Sequence, residues 1–191
     1  MSVSFWWMHV ALTREQADAM QEPMTRALAA LADIRKSLAA RWSQLERSPN
    51  SQEALVSFVE AFAHSATAEV GDQITRVIDH GNALRFISTP RVSPAAILFR
   101  ALGPVDSESL PGELCNVLLS VDEVAAAERA VQAVLERHQR AQLVARGAEV
   151  LRLDHYPCDA GVEEVLDAWP AALAEARRRK VAMLSLAMRA V

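Results

Sequence analysis

The sequence is short of most features that announce a function. It holds two cysteines, Cys115 and Cys158, in 191 residues. One disulfide at most could form, which excludes a cystine-stapled scaffold. No apolar run reaches the ~20 residues needed to cross a bilayer. The longest, such as Val181 to Val191, are interrupted, so a polytopic membrane protein is excluded and no membrane partner is expected. No amino-terminal segment joins basic residues to an apolar core, so no signal peptide is read. The expectation is a cytoplasmic protein with reduced thiols. Lysine occurs only at Lys36 and Lys180, and no mechanism follows from that.

Positive charge is not in excess either. The formal net charge is −4, whereas nucleic-acid binding rests on a basic surface that neutralises phosphates. No nucleic-acid partner is therefore expected. The one basic run, Arg177-Arg178-Arg179-Lys180, points in four directions on a helix and reads as a solvated end near a carboxyl terminus. There is no G-x-G-x-x-G, no P-loop and no G-x-S-x-G, which argues against the common nucleotide-dependent folds and the α/β-hydrolases. The five histidines form no H-E-x-x-H or H-x-H pattern, so neither metal nor cofactor is expected.

What is present is globular. Apolar types make up 51% of the chain and charged types 23%, enough to bury one core at this length. Ser2 to Val10 is aromatic and β-branched and reads as a strand. Trp6 and Trp7 must then face opposite sides, so both faces should be covered. Thr13 and Gln16 fit a capping box opening a short helix, Arg14 to Met20. Pro23 suits the first turn of a second helix. Its stripe is Met24, Leu28, Leu31, Leu38, Trp42 and Leu45, and it ends at Ser48-Pro49-Asn50.

A helix opens at Ser51 with Leu55, Phe58, Val59 and Phe62 on one face. Residues 70–88 fit one helix, or a break at Gly81-Asn82. Ser93-Pro94 starts a short helix to Leu102. Gly103 to Gly112 reads as a loop and Leu114 to Leu119 as a strand. Ser120 and Glu123 make a second capping box for a long helix to Arg146, with His138 on its apolar face, ended by Gly147. Glu149 to Tyr156 reads as a strand, and Val162–Trp169 and Pro170–Met188 as helices bent at Pro170. The sum is one helix-dominated α+β domain over residues 1–191 with a sheet of about three strands.

The stretch from Ile78 to Thr89 (IDHGNALRFIST) resembles the most recognisable motif of the YfbM-like family of uncharacterised bacterial proteins, with Asp79, Leu84, Ile87 and Thr89 matching across one gap. "ALTREQADAM", "LLSVDEV" and "ALAEARRRKVAMLSLAM" are similar to that family's first helix, a later helix entry and its closing helix, in the same order. The departures are a missing tryptophan near Asn82, Pro90 where the family has glycine, and Leu114-Cys115-Asn116 near a missing Gly-Tyr-Gly-Pro turn. The resemblance implies one compact α+β domain and carries no activity with it.

Asp154-His155-Tyr156-Pro157-Cys158-Asp159 is the densest reactive cluster. A thiolate–imidazole pair there would need a base in reach and a group orienting it. Two ligands three apart fall short of a zinc site. A strand end entering a proline turn explains the same residues without chemistry. Trp7 and His9 share one side of the first strand and could line a pocket or simply pack the sheet. Asp72 and Asp79, two helical turns apart, are too distant to couple. Trp42 and Trp169 sit on core stripes, which leaves Trp6 nearest the surface.

The binding candidates are thus Trp6, Trp7, His9, Asp79, Asp154 and His155, and no catalytic residue is assigned. The expected function is a non-enzymatic domain that binds another protein, such as a basic toxin or effector that it neutralises. The alternative is an enzyme with an unrecognised site at Asp154, His155 and Cys158. Alanine-rich helices also permit a homo-oligomer.

Overall fold

Ser4–Leu12 forms the first strand, β1, and its alternation sorts two sets of side chains. Phe5, Trp7, His9 and Ala11 lie on one face; Trp6, Met8, Val10 and Leu12 lie on the other. The computed structural model describes residues 4–49, 51–63, 70, 74, 77, 78, 81–153 and 159–190. β1 pairs antiparallel with β2 (Ala83–Pro90) on one side and with β4 (Ala182–Ala190) on the other. β4 in turn pairs with the short β3, Val117–Leu119. The order β2-β1-β4-β3 gives one strand more than the sequence predicts, within the expected helix-dominated α+β class. In this register Trp7 stands between Ile87 and Ala187, and His9 between Arg85 and Ser185.

Two strands, β4 and β2, replace predicted helix. β4 is central, and its residues from Ala182 to Ala187 are buried on both faces. A strand of that kind has no polar side and reads like a buried helix. The helix before it, over Asp159–Arg179, ends at Lys180, which adopts a left-handed φ of 56°. Val181 N–H then bonds the Ala176 carbonyl at 3.1 Å, a Schellman-type stop. β2 is an edge strand with only Ile87 and Thr89 buried. Residues 70, 74 and 77 are helical, and Gly81-Asn82 makes the turn. The break at Gly81 is therefore real, but strand follows it.

Helix α1 spans Arg14–Arg47 without interruption, where the sequence predicts a short helix and a second start at Pro23. The Thr13 cap forms as predicted: Gln16 N–H donates to Thr13 Oγ1 at 3.2 Å, and Thr13 N–H to Gln16 Oε1 at 2.9 Å. A mid-helix proline costs about 3 kcal/mol. Pro23 sits inside a buried stripe that includes Met20, Met24, Leu31, Leu38, Trp42 and Leu45. Each such side chain contributes about 1.5–3 kcal/mol when buried, so the stripe outweighs the proline. The same holds for Pro170 beside fully buried Trp169.

α2 (Gln52–Glu60) opens on Ser51, whose hydroxyl accepts from Ala54 N–H. After β2 comes α3, Pro94–Leu102, buried at every position but Arg100. The predicted Gly103–Gly112 loop contains one helical turn, α4, Pro104–Ser107. α5 (Val121–Glu136) has its capping box at Ser120 and Glu123. It stops ten residues before Arg146, because Arg137 and His138 both turn to Asp106.

α6 spans Arg140–Arg152 and corrects the predicted strand at Glu149 as far as Arg152; positions 154–156 lie outside the described residues. It also runs through Gly147 instead of stopping there. A Cβ on Gly147 would meet side chains of Val162 and Ile97 at 2.7 and 3.3 Å. The glycine lets α6 close on α3 and on α7, the helix Asp159–Arg179. The basic run at the end of α7 is solvated and paired, Arg177 with Glu128 and Arg178 and Arg179 with Glu175. No described helix is long and apolar enough to cross a membrane.

Candidate functional site

The period of two in β1 puts Trp7 and His9 side by side, with ring centroids 4.6 Å apart. Both are fully buried. Trp169 of α7 covers Trp7 edge-on at 5.5 Å. Of the two readings, the structure supports sheet packing and not a pocket lining. Trp7 Nε1–H donates to Ser185 Oγ at 2.9 Å, and Ser185 Oγ–H donates to the Cys115 carbonyl at 2.8 Å. His9 stands opposite Ser185, yet neither of its ring nitrogens has a hydrogen-bond partner. Burial, reinforced by the charge of Arg85, lowers its pKa to about 3.

This juxtaposition of serine and histidine is not a nucleophile and its base. The serine proton is given to a carbonyl, the imidazole is unengaged, and both side chains are sealed from solvent. Cys115 is equally closed, since burial raises its thiol well above the ordinary range. Ser185 therefore holds β1, β4 and the turn before β3 together. Ser185→Ala would strand Trp7 Nε1–H and the Cys115 carbonyl. The expected loss is about 1–3 kcal/mol, read as a lower urea midpoint with an unchanged slope. An unshifted midpoint would remove this role.

The turn is a two-residue hairpin between Glu113 and Asn116, which exchange backbone bonds of 2.9 and 2.8 Å. Leu114 and Cys115 both have positive φ, 49° and 68°, a pair of left-handed residues as in a type I′ turn. Asn116 extends the sheet by accepting from Ala187 N–H through Oδ1 at 2.9 Å.

Trp6 points the other way. It is half-buried and meets Phe86 of β2 at 5.7 Å, and Phe86 is 51% exposed. On that face Val10, Leu12, Leu184 and Leu186 are buried, whereas Ser88 is exposed and Met188 half-buried. β1 is thus buried on both faces along most of its length, as expected, and the face that carries Trp6 is open at one end. Trp42 and Trp169 are buried as predicted. Asp79, Asp154, His155 and Cys158 lie outside the described residues.

Two features have no signal in the sequence. The first joins residues 32 apart: His138 Nε2 lies 2.7 Å from Asp106 Oδ2. Arg146 Nη2 lies 3.2 Å from His138 Nδ1, and Arg137 Nη1 2.8 Å from Asp106 Oδ1. Arginine only donates, so Nδ1 accepts and Nε2–H donates to the carboxylate. The lone pair a general base would use is occupied. Burial alone would raise the Asp106 carboxyl, but the hydrogen bonds and charges of Arg137 and His138 outweigh it and hold the group below its ordinary value. His138 stands half-buried beyond the end of α5, not on the apolar helix face where the sequence places it.

The second is a cleft of about 230 Å³ between α1 and α3–α4. One wall is a helical stripe of α1, Arg35, Leu38, Ala39, Trp42, Ser43 and Glu46; the other is Phe99, Pro104, Ser107 and Glu108. Leu38 and Trp42 are legible as a core stripe, but of the facing wall only Phe99 falls in a predicted helix, and Pro104, Ser107 and Glu108 fall in the predicted loop. Among the described residues no group of three His, Cys, Asp or Glu side chains could hold a metal ion. No family model, curated protein or solved structure matches the chain.

Proposed function

We propose that this chain is a protein-binding domain without catalytic chemistry of its own, and that it docks a basic protein on the open end of the Trp6 sheet face. The observation that carries the reading is the Trp6–Phe86 pair, two aromatic side chains in tilted contact, one of them half-exposed, on an edge strand and its neighbour. Large rings at a surface are the commonest anchors of protein interfaces, and apolar side chains on an edge strand are a liability unless a partner covers them. The net charge of −4 favours a partner of opposite sign and speeds its approach.

The reading is tested with a photo-crosslinking residue at position 86, followed by binding measurements on the purified captured protein. The expected partner has a pI above neutrality. Trp6→Ala with Phe86→Ala should weaken its binding by about 2 kcal/mol or more while leaving the melting temperature nearly unchanged. Equal affinity for the double variant would overturn the reading.

A further inference from the structure

The cleft between α1 and α3–α4 carries a chemical preference that its lining residues define. Its floor is apolar: Leu38, Trp42 and Phe99 are all buried. Its polar groups are nearly all acceptors. Ser43 Oγ–H donates to the Ala39 carbonyl at 3.0 Å, and Ser107 Oγ–H donates to the Gly103 carbonyl at 2.5 Å. Each hydroxyl has one proton, so both present only lone pairs to the cleft. Glu46 and Glu108 are exposed on its rim, and neither forms an ion pair with a described residue. The one cation, Arg35, is already matched: its Nη1 lies 2.9 Å from both carboxylate oxygens of Glu113. Charge accounting leaves about two negative charges over an apolar floor.

An anion or a bare acceptor would meet repulsion here. A ligand that fits must bring several N–H donors, a positive charge and an aliphatic stem. The volume lies below the ~300 Å³ at which drug-sized pockets begin, so it suits one long side chain and not a folded segment. We propose that this cleft receives an arginine or lysine side chain of the protein partner. The stem would lie along Trp42 and Phe99, with the cationic head held by Glu46 and Glu108. The proposal rests on the protein-binding reading and gives that partner a second contact, remote from Trp6 in sequence and carried by different elements.

Nuclear magnetic resonance of the full chain tests it, with Nα-acetyl-arginine amide as the probe and Nα-acetyl-norleucine amide as the neutral control. The arginine probe should shift the Trp42 indole and the Ser43 and Ser107 amides saturably. Binding should weaken about tenfold in Glu46→Gln with Glu108→Gln, in keeping with the loss of charged hydrogen bonds. Both positions are exposed, so the variant should fold as the parent does. Absence of saturable shifts, equal shifts from norleucine amide, or an unaltered variant would each overturn the proposal.

These outcomes leave the sheet-face reading untouched, because the probe does not report on Trp6 or Phe86. The source of the cation is read in the complex captured at position 86. There the same double variant should weaken binding about tenfold. If the complex is unaffected while the free amide binds, the cleft takes a free organic cation and the partner assignment is overturned.

Discussion

Acidification from pH 7 to pH 4 should cost the folded state about 3 kcal/mol through His9 alone. The sign follows from where the proton binds. Unfolded, His9 titrates at 6.5; folded, burial and the charge of Arg85 lower it to about 3. Between these values the unfolded chain holds a proton that the native chain refuses. Stability is therefore full above pH 6.5 and falls by up to about 1.4 kcal/mol per pH unit until pH reaches 3. The refusal is structural. His9 faces Ser185, whose hydroxyl is committed elsewhere, and Arg85, which repels a second cation. No carboxylate among the described residues bonds the ring.

Carboxylates held below their ordinary range, Asp106 by Arg137 and His138 and Glu123 by Ser120, also lose stabilisation as the pH falls through their folded values. A difference measurement removes them. His9→Leu keeps the volume and drops the proton. Urea unfolding at pH 7, 5.5 and 4 should show the gap between parent and variant moving by about 3 kcal/mol in favour of the variant at low pH. A gap that stays constant with pH would sink the assignment.

The features legible in the sequence were those written within one turn of the chain. Both capping boxes formed, Thr13 with Gln16 and Ser120 with Glu123, since each needs only a residue and its third neighbour. The shared side of Trp7 and His9 followed from the period of β1. What the sequence concealed was settled far away. Ser185 meets Trp7 across 178 residues, and nothing local marks that serine as a partner. β4 carries no polar face because helices and strands from elsewhere bury both of its sides. Pro23 and Pro170 read as helix starts because a local reading cannot weigh the buried stripes that carry α1 and α7 through them. The cleft was hidden for the same reason: half of it is a stripe, and the other half exists only once α3 and α4 have packed.

A single methyl at Gly112 should be among the most damaging small changes in this chain. The glycine has a φ of 78°, and a Cβ there would meet the Asn116 carbonyl oxygen at 2.2 Å and Val117 Cβ at 2.6 Å. The left-handed backbone alone costs a side chain about 1–2 kcal/mol. The overlap adds more, because its main obstacle is backbone and cannot swing aside. Relief requires the Glu113–Asn116 turn to move, and that turn supports three connections. The Cys115 carbonyl holds Ser185, Asn116 Oδ1 holds Ala187 N–H, and Glu113 holds Arg35. β3 has only three paired residues, so it has little ladder with which to resist.

Gly112→Ala should therefore lose about 3 kcal/mol or more, a large share of the roughly 5–15 kcal/mol that holds a domain folded. Hydrogen exchange should localise the damage, with protection lost first at Val117–Leu119 and at Ala187. Gly81→Ala is the matched control. Gly81 lies in a turn, its φ is not left-handed, and nothing stands within 4 Å of an added Cβ. It should fall within about 0.5 kcal/mol of the parent. Equal losses at the two glycines would mean that the crowded entry to β3 does not set the cost.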